Sequence, residues 1–222
     1  MELRTKIIGL VRASHFGPTL LVTTAAFTVA CTQLSPADAA AIALAIFSGQ
    51  LVVGWTNDVV DFERDRAAAR TNKPLVSGAI SRRALRAAIF AALGATIGLS
   101  IWSPLGLRGS ALHLLCLLSA TAYNLKLKAT VLSVVPYALS FGLLPWAIYS
   151  AADKQPPTWV VCGFIFFTCA FHFLNVLKDL DWDERQQVLG LPQRLGRQAS
   201  IAAAVILVSL GAVDIICGLV GG

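Results

Sequence analysis

Long apolar stretches alternate with short polar segments along this chain. A membrane core about 30 Å thick is crossed by roughly 20 apolar residues of helix. Seven stretches are of about this length and almost uncharged: 17–34, 38–56, 84–103, 109–124, 130–150, 157–177 and 199–219. The pattern therefore predicts an all-α fold, a polytopic membrane helical bundle of about seven transmembrane helices. We expect residues 1–222 to form a single membrane domain.

Composition and charge support this prediction and give it an orientation. The 222 residues are 56% hydrophobic and 14% charged, whereas soluble domains carry roughly 25% charged residues. If the N-terminus is cytoplasmic, all basic residues except Arg108 and Lys154 fall on the cytoplasmic side, as the positive-inside rule requires. The net charge of +6 then records topology and does not indicate nucleic-acid binding. Frequent Ala and Arg with scarce Lys favour a bacterial plasma membrane.

Two acidic clusters follow the second and sixth spans, in polar segments 57–83 and 178–198 that we expect to be cytoplasmic. The first cluster is NDVVDFERD, residues 57–65, and the second is NVLKDLDWD, residues 175–183. Both follow the pattern N-x3-D-x3-D. If the helices continue past the membrane, residues four apart share one helix face, so the Asn and the two Asp residues of each pattern form a column. Asp58 lies at the edge of the first column.

Oxygen ligands arranged in a column repel one another unless a cation lies among them. Mg²⁺ takes one or two carboxylates and completes its shell with water and phosphate oxygens. Two facing columns predict Mg²⁺ ions with a diphosphate between them, and the ligands would be Asn57, Asp58, Asp61, Asp65, Asn175, Asp179 and Asp183. Basic residues are candidates for the remaining phosphate oxygens: Arg64, Arg70, Lys73, Lys126, Lys128 and Lys178. The alternative is a pair of ordinary loops with solvated charges.

The chain resembles the UbiA superfamily of intramembrane prenyltransferases from about residue 12 to residue 197. NDVVDFERD is similar to the family motif NDxxDxxxD, and NVLKDLDWDE is similar to the second motif, DxxxD, through Asp179 and Asp183. The loop RDRAAARTNKPLVSGAIS, the segment AYNLKLKAT and the opening RASHFGPTLL also resemble family segments. The paired Asp motifs are the most diagnostic part.

The resemblance implies an enzyme that ionises an allylic prenyl diphosphate with Mg²⁺ and transfers the prenyl group to an aromatic or other electron-rich acceptor. It implies catalytic roles for Asp61, Asp179, Tyr123 and Lys128, with the Tyr123 ring near the allylic cation. His172 lies one turn deeper than Asn175 and is a candidate for orienting the acceptor. For a lone histidine in an apolar helix, a hydrogen-bonded structural role is the commoner interpretation.

Family members usually have nine membrane helices, so with seven we expect a minimal enzyme, reduced activity, or a partner or oligomer that completes the helical ring. Three alternatives stay open: a membrane terpene cyclase of the same superfamily, a Mg²⁺ transporter, and a non-catalytic subunit. A transporter would carry polar groups deep in its spans, and these spans are nearly uncharged. A CDP-alcohol phosphotransferase is disfavoured because its DG-x2-AR signature is missing from the sequence.

Overall fold

The computed structural model describes residues 2–221, and their side chains from residue 4 onward. Within this range every regular element is helical, with one 3-10 turn at Leu127–Ala129. The α-helices are α1 (Glu2–Ala13), α2 (Phe16–Cys31), α3 (Pro36–Ala67), α4 (Arg82–Trp102), α5 (Gly106–Leu125), α6 (Val135–Ser150), α7 (Thr158–Val176), α8 (Leu180–Arg185) and α9 (Leu191–Gly221).

Each of the seven predicted spans coincides with a helix, from α2 to α7 and then α9. By length and composition α3, α4, α7 and α9 are able to cross a membrane, and α2 is a shorter apolar helix. The all-α membrane fold is therefore confirmed, with seven as an approximate number of spans. The predicted span 130–150 starts late, at Val135, because Thr130 is extended and Pro136 lies in the first turn of α6, a position that suits proline.

The chain forms two compact units, Met1–Ser110 and Ala111–Gly222. A single membrane domain stays a prediction. In the first unit α3 packs against α2 and α4, and its buried residues are mostly small or branched and apolar. Thr96 of α4 donates a hydrogen bond to the Ser48 hydroxyl of α3 at 3.0 Å. Each hydroxyl also bonds to a backbone carbonyl of its own helix, so this contact adds a polar link between α3 and α4.

Helix α3 is long enough to cross the membrane and continue beyond it. Its start is fixed by Ser35, whose hydroxyl accepts a hydrogen bond from the Asp38 N–H at 3.2 Å, and by Pro36 in the first turn. Its 32 residues span roughly 48 Å at about 1.5 Å per residue. The first acidic cluster therefore lies on regular helix, as predicted.

The N-terminal segment packs against α3 just before this cluster. The Trp55 indole N–H donates to the Leu10 carbonyl at 2.9 Å. A Cβ atom at Gly54 would lie 2.5 Å from the Ser14 carbonyl oxygen, so only glycine allows the two backbones to approach this closely. The contact fixes where the connection between α1 and α2 meets α3.

Substituting Gly54 by alanine is expected to destabilise the protein, because the added Cβ meets rigid backbone. Overpacking of this kind costs about 1–3 kcal/mol, which lowers Tm by about 3–10 °C in a chain of this size. Thermal unfolding in detergent measures the change. Gly98→Ala in α4 is the matched control, since its Cβ would meet no atom within 4 Å. Equal Tm values for the two variants would contradict the close approach at Gly54.

In the second unit α7 packs against α6 and α9. Ala170, Phe173 and Ala204 form a buried apolar cluster between α7 and α9. Helix α9 is bent at Gly196, whose backbone is non-helical at φ 77°, so the predicted span 199–219 lies in its second part. Many large apolar side chains of that part are exposed, among them Val205, Ile206 and Val213. Such a surface suits contact with lipid.

Candidate functional site

The first acidic cluster occupies the last turns of α3, where its four predicted ligands differ in burial. Asp58 is 2% exposed and Asp65 is 5% exposed, while Asn57 and Asp61 are half-buried. Glu63 is 66% exposed and points away, as the spacing predicts for a solvated residue. Two ionised groups are thus held in a poorly solvated position, which requires partners of opposite charge.

The predicted phosphate-binding residues of the first unit are those partners. Lys73 Nζ lies 2.7 Å from Asp58 Oδ1 and 3.9 Å from Asp65 Oδ2. Arg70 NH1 lies 3.3 Å from Asp65 Oδ1, and Arg64 pairs with Asp61. The cluster is therefore a mixed layer of carboxylates and cations, in which each of these cations contacts at least one carboxylate.

The loop after α3 folds back over the end of that helix. Its turns place the basic residues there. Ala69 has a positive φ of 50°, and the Arg70 N–H bonds to the Asp65 carbonyl at 3.0 Å. Leu75 and Ile80 are buried and anchor the loop. Ser81 then caps α4 by accepting from the Ala84 N–H at 3.1 Å.

His15 is a member of this cluster that the spacing of the motif residues does not indicate. It connects α1 and α2, and its Nε2 lies 3.1 Å from Asp58 Oδ1. Asp58 Oδ1 thus contacts both Lys73 and His15, while Oδ2 is buried with no hydrogen-bond partner within the described chain, residues 2–221. A single histidine before a helix carries no periodic signal, so only the contact reveals it.

The second cluster departs from the expected single column. Helix α7 ends at Val176, and Asp179 precedes α8 with a backbone φ of −111°. Asn175, Asp179 and Asp183 therefore do not continue one regular helix. One cause is long-range: Arg197 NH2 donates to the Leu177 carbonyl at 3.3 Å and so satisfies a carbonyl at the helix end.

The side chains of the second cluster have their own partners. Lys178 Nζ donates to Asn175 Oδ1 at 2.9 Å. Asp183 Oδ2 accepts from Gln193 Nε2 at 2.8 Å, and Gln193 is 6% exposed. Gln193 is a second neighbour of a predicted ligand that spacing alone did not indicate. Asp181, which lies outside the N-x3-D-x3-D positions, is exposed.

The segment with the remaining predicted lysines lies against the loop after α8. Lys126 is exposed and Lys128 is half-buried. A Cβ at Gly190 would lie 2.6 Å from the Lys128 carbonyl oxygen, so glycine is needed for this approach. The contact fixes the path of the backbone at Lys128 relative to the loop that begins α9.

Three rings of the second unit form an aromatic cluster made of Tyr123, Tyr137 and His172. Tyr137 stacks on His172 at a centroid distance of 4.5 Å, and Tyr123 meets Tyr137 edge-on at 5.2 Å. His172 Nε2 lies 3.1 Å from the Ser133 hydroxyl, which confirms a hydrogen-bonded contact for this buried histidine. Its Nδ1 has no partner among residues 2–221.

The donor chemistry of the first cluster fits a small, hard divalent cation. Over the part of the chain described, no three His, Cys, Asp or Glu side chains are grouped so as to hold a metal ion. The oxygens of Asn57, Asp61 and Asp65, together with the buried and unpaired Asp58 Oδ2, are of the type that such a cation prefers when it keeps water and phosphate in its shell. That the two acidic clusters face each other remains a prediction.

The fold and these side chains define an integral membrane protein with an acidic, cation-lined cluster on α3. Residues 19–222 match the UbiA prenyltransferase family. The chain belongs to this family, which confirms the resemblance seen in the sequence. A comparison with curated protein sequences gives no match.

Solved structures of the family share the fold. A UbiA homolog from Archaeoglobus fulgidus bound to GPP and Mg²⁺ is 16% identical, with a TM-score of 0.82 over 96% of this chain and 78% of that one. The apo structure of a UbiA homolog from Aeropyrum pernix K1 is 21% identical, with a TM-score of 0.74 over 97% and 78%. A structure described for digeranylgeranylglyceryl phosphate synthase is 16% identical, with a TM-score of 0.72 over 94% and 76%.

Proposed function

We propose that this protein is a Mg²⁺-dependent membrane prenyltransferase that moves the prenyl group of an allylic diphosphate to an aromatic or other electron-rich acceptor. The observation that carries the proposal is the α3 cluster, where buried Asp58 and Asp65 share Lys73 and where Asp58 Oδ2 is unpaired. Family membership supports it. Structures of the Archaeoglobus fulgidus homolog bound to Mg²⁺ with GPP or DMAPP support it further.

In this proposal the oxygen side chains of both motifs hold the metal, and the cations hold the diphosphate. The metal ligands are Asn57, Asp58, Asp61, Asp65, Asn175, Asp179 and Asp183. When bound, Mg²⁺ neutralises the negative charge that develops on the leaving diphosphate. Arg64, Arg70, Lys73, Lys126, Lys128 and Lys178 bind phosphate oxygens, and the first three exchange carboxylate partners for phosphate as substrate arrives. Guanidinium groups suit this exchange because their N–H groups match phosphate geometry.

The reaction then needs a protected allylic cation. The bond between carbon and the diphosphate oxygen breaks, and its electron pair leaves with the diphosphate. The Tyr123 ring, held edge-on against Tyr137, offers a π face to the cation. The acceptor carbon forms the new bond and then loses a proton. An apolar surrounding excludes water, which would otherwise add to the cation.

The proposed orientation in the membrane follows from the distribution of basic residues along the sequence. The N-terminus and the loops 57–83 and 178–198 lie in the cytoplasm, and the chain resides in a bacterial plasma membrane. Substrate then reaches the site with its diphosphate in the cytoplasm and its prenyl chain in lipid. The acceptor enters from the lipid or from the membrane surface.

Diphosphate release by the purified protein tests this function. With a panel of allylic diphosphates of different chain length, we expect release with Mg²⁺ and a return to background when EDTA removes the metal. Aromatic acceptors are added in half of the assays, and the hydrocarbon product is identified. A prenylated acceptor supports transfer, and a cyclic hydrocarbon formed without an acceptor identifies a cyclase instead. No release with any substrate, acceptor or lipid would overturn the proposal.

A further inference from the structure

His15 has an unusual backbone conformation at the point where it meets the acidic cluster. Its φ and ψ are 52° and 55°, in the left-handed region. Residues other than glycine rarely adopt this conformation. It costs free energy and persists where surrounding contacts impose it, often at functional sites. The contacts around His15 are therefore expected to fix its position.

Those contacts come from α3 and from the first turn of α2. Ser14 is 2% exposed, and its carbonyl accepts from the Thr19 hydroxyl at 2.7 Å. The same carbonyl lies over Gly54, where a Cβ would be only 2.5 Å away. Gly54 precedes Asp58 by one helical turn, so both lie on one face of α3. The backbone at residue 14 is thus held against α3 one turn before Asp58.

The two carboxylate oxygens of Asp58 differ in their hydrogen-bond partners. Oδ1 receives Lys73 Nζ at 2.7 Å and His15 Nε2 at 3.1 Å. Because an ionised carboxylate only accepts hydrogen bonds, Nε2 must carry a proton in this contact. Oδ2 is buried and, in the described part of the chain, has no partner. A buried acceptor left in this way calls for a ligand, water or ion.

We propose that His15 is a positioning residue, which together with Lys73 holds Asp58 Oδ1 so that Oδ2 is directed to the divalent cation of the diphosphate site. This inference rests on the proposed function and adds a residue outside both acidic motifs. Hydrogen-bond partners of ligating carboxylates orient those ligands, and their loss lowers metal affinity by about 10- to 100-fold.

Two substitutions separate the hydrogen bond from the backbone conformation. His15→Asn tolerates the left-handed backbone but is too short to reach Asp58. His15→Gln is longer and carries an amide N–H that can replace Nε2–H. Asp153→Asn is the matched control, since Asp153 is another left-handed position, φ 52°, in the turn between α6 and α7.

The first readout is Mn²⁺ binding to the full chain in detergent with inorganic diphosphate, followed by electron paramagnetic resonance, which requires no turnover. We expect His15→Asn to weaken binding by about tenfold or more, with His15→Gln and Asp153→Asn close to wild type. The Mg²⁺ concentration for half-maximal diphosphate release should rise in parallel for His15→Asn, with a smaller change in the maximal rate.

Wild-type Mn²⁺ affinity in His15→Asn, or a loss in His15→Gln as large as in His15→Asn, would overturn the positioning role. So would a wild-type protein that does not bind Mn²⁺. If the wild type binds Mn²⁺ but releases diphosphate from no prenyl substrate, the proposed function fails. The binding data on the two variants still decide the role of His15.

Discussion

Substituting Asp61 by asparagine is expected to lower Mg²⁺-dependent diphosphate release by about 100- to 1,000-fold, the usual cost of removing one group that stabilises developing charge. Asp61 lies on the last turns of α3 and pairs with Arg64. Asparagine preserves the size and one oxygen but removes the negative charge that attracts the metal. Steady-state release at saturating substrate, measured at the Mg²⁺ concentration that half-saturates the wild type, gives the change.

A neighbouring acidic residue of α3 provides the control for this experiment. Glu63 is two residues away, 66% exposed and paired with Arg82 at 2.8 Å, so Glu63→Gln should keep wild-type activity. In the second motif Asp179→Asn and Asp181→Asn form an equivalent pair, with the loss confined to Asp179. Wild-type activity in Asp61→Asn would contradict its metal-binding role. Equal losses in Asp61→Asn and Glu63→Gln would indicate damage to the helix end.

The first motif was predictable because its geometry depends only on local periodicity. A capped start at Ser35 and an uninterrupted apolar run produce a helix that reaches Ala67. Positions four apart must then share a face. The following basic loop was also recognised, since its residues are close in sequence to the acids they neutralise. Local patterns therefore predicted both the helix and the grouping of acidic and basic side chains at its end.

The second motif, His15 and Gln193 required information that no local pattern contains. The break after Val176 is stabilised by Arg197, 20 residues further along the chain. Asp58 and His15 are 43 residues apart, and their contact depends on the close approach at Gly54. Gln193 reaches Asp183 only because the chain turns after α8. Contacts of this kind arise from tertiary packing, which spacing within one helix does not encode.

Replacing Lys73 by methionine is expected to destabilise the protein strongly, because it leaves two buried carboxylates without their shared cation. Methionine keeps the apolar stem but removes the ammonium that lies 2.7 Å from Asp58. Breaking a buried pair from one side costs about 3 kcal/mol or more, which corresponds to a fall in Tm of about 6–12 °C. Thermal unfolding in detergent, followed by circular dichroism, measures it. Lys154→Met, at an exposed lysine, should leave Tm unchanged.

The double variant Lys73→Met with Asp58→Asn separates stability from function. Since neither residue is then charged, the Tm of the double variant should be well above that of Lys73→Met, as expected when a buried pair is removed from both sides. Diphosphate release should not return, because the double variant lacks a phosphate-binding cation and a metal ligand. Recovery of both would mean that Lys73 only balances the charge of Asp58. Recovery of neither would mean that the contact between them does not account for the stability that Lys73 provides.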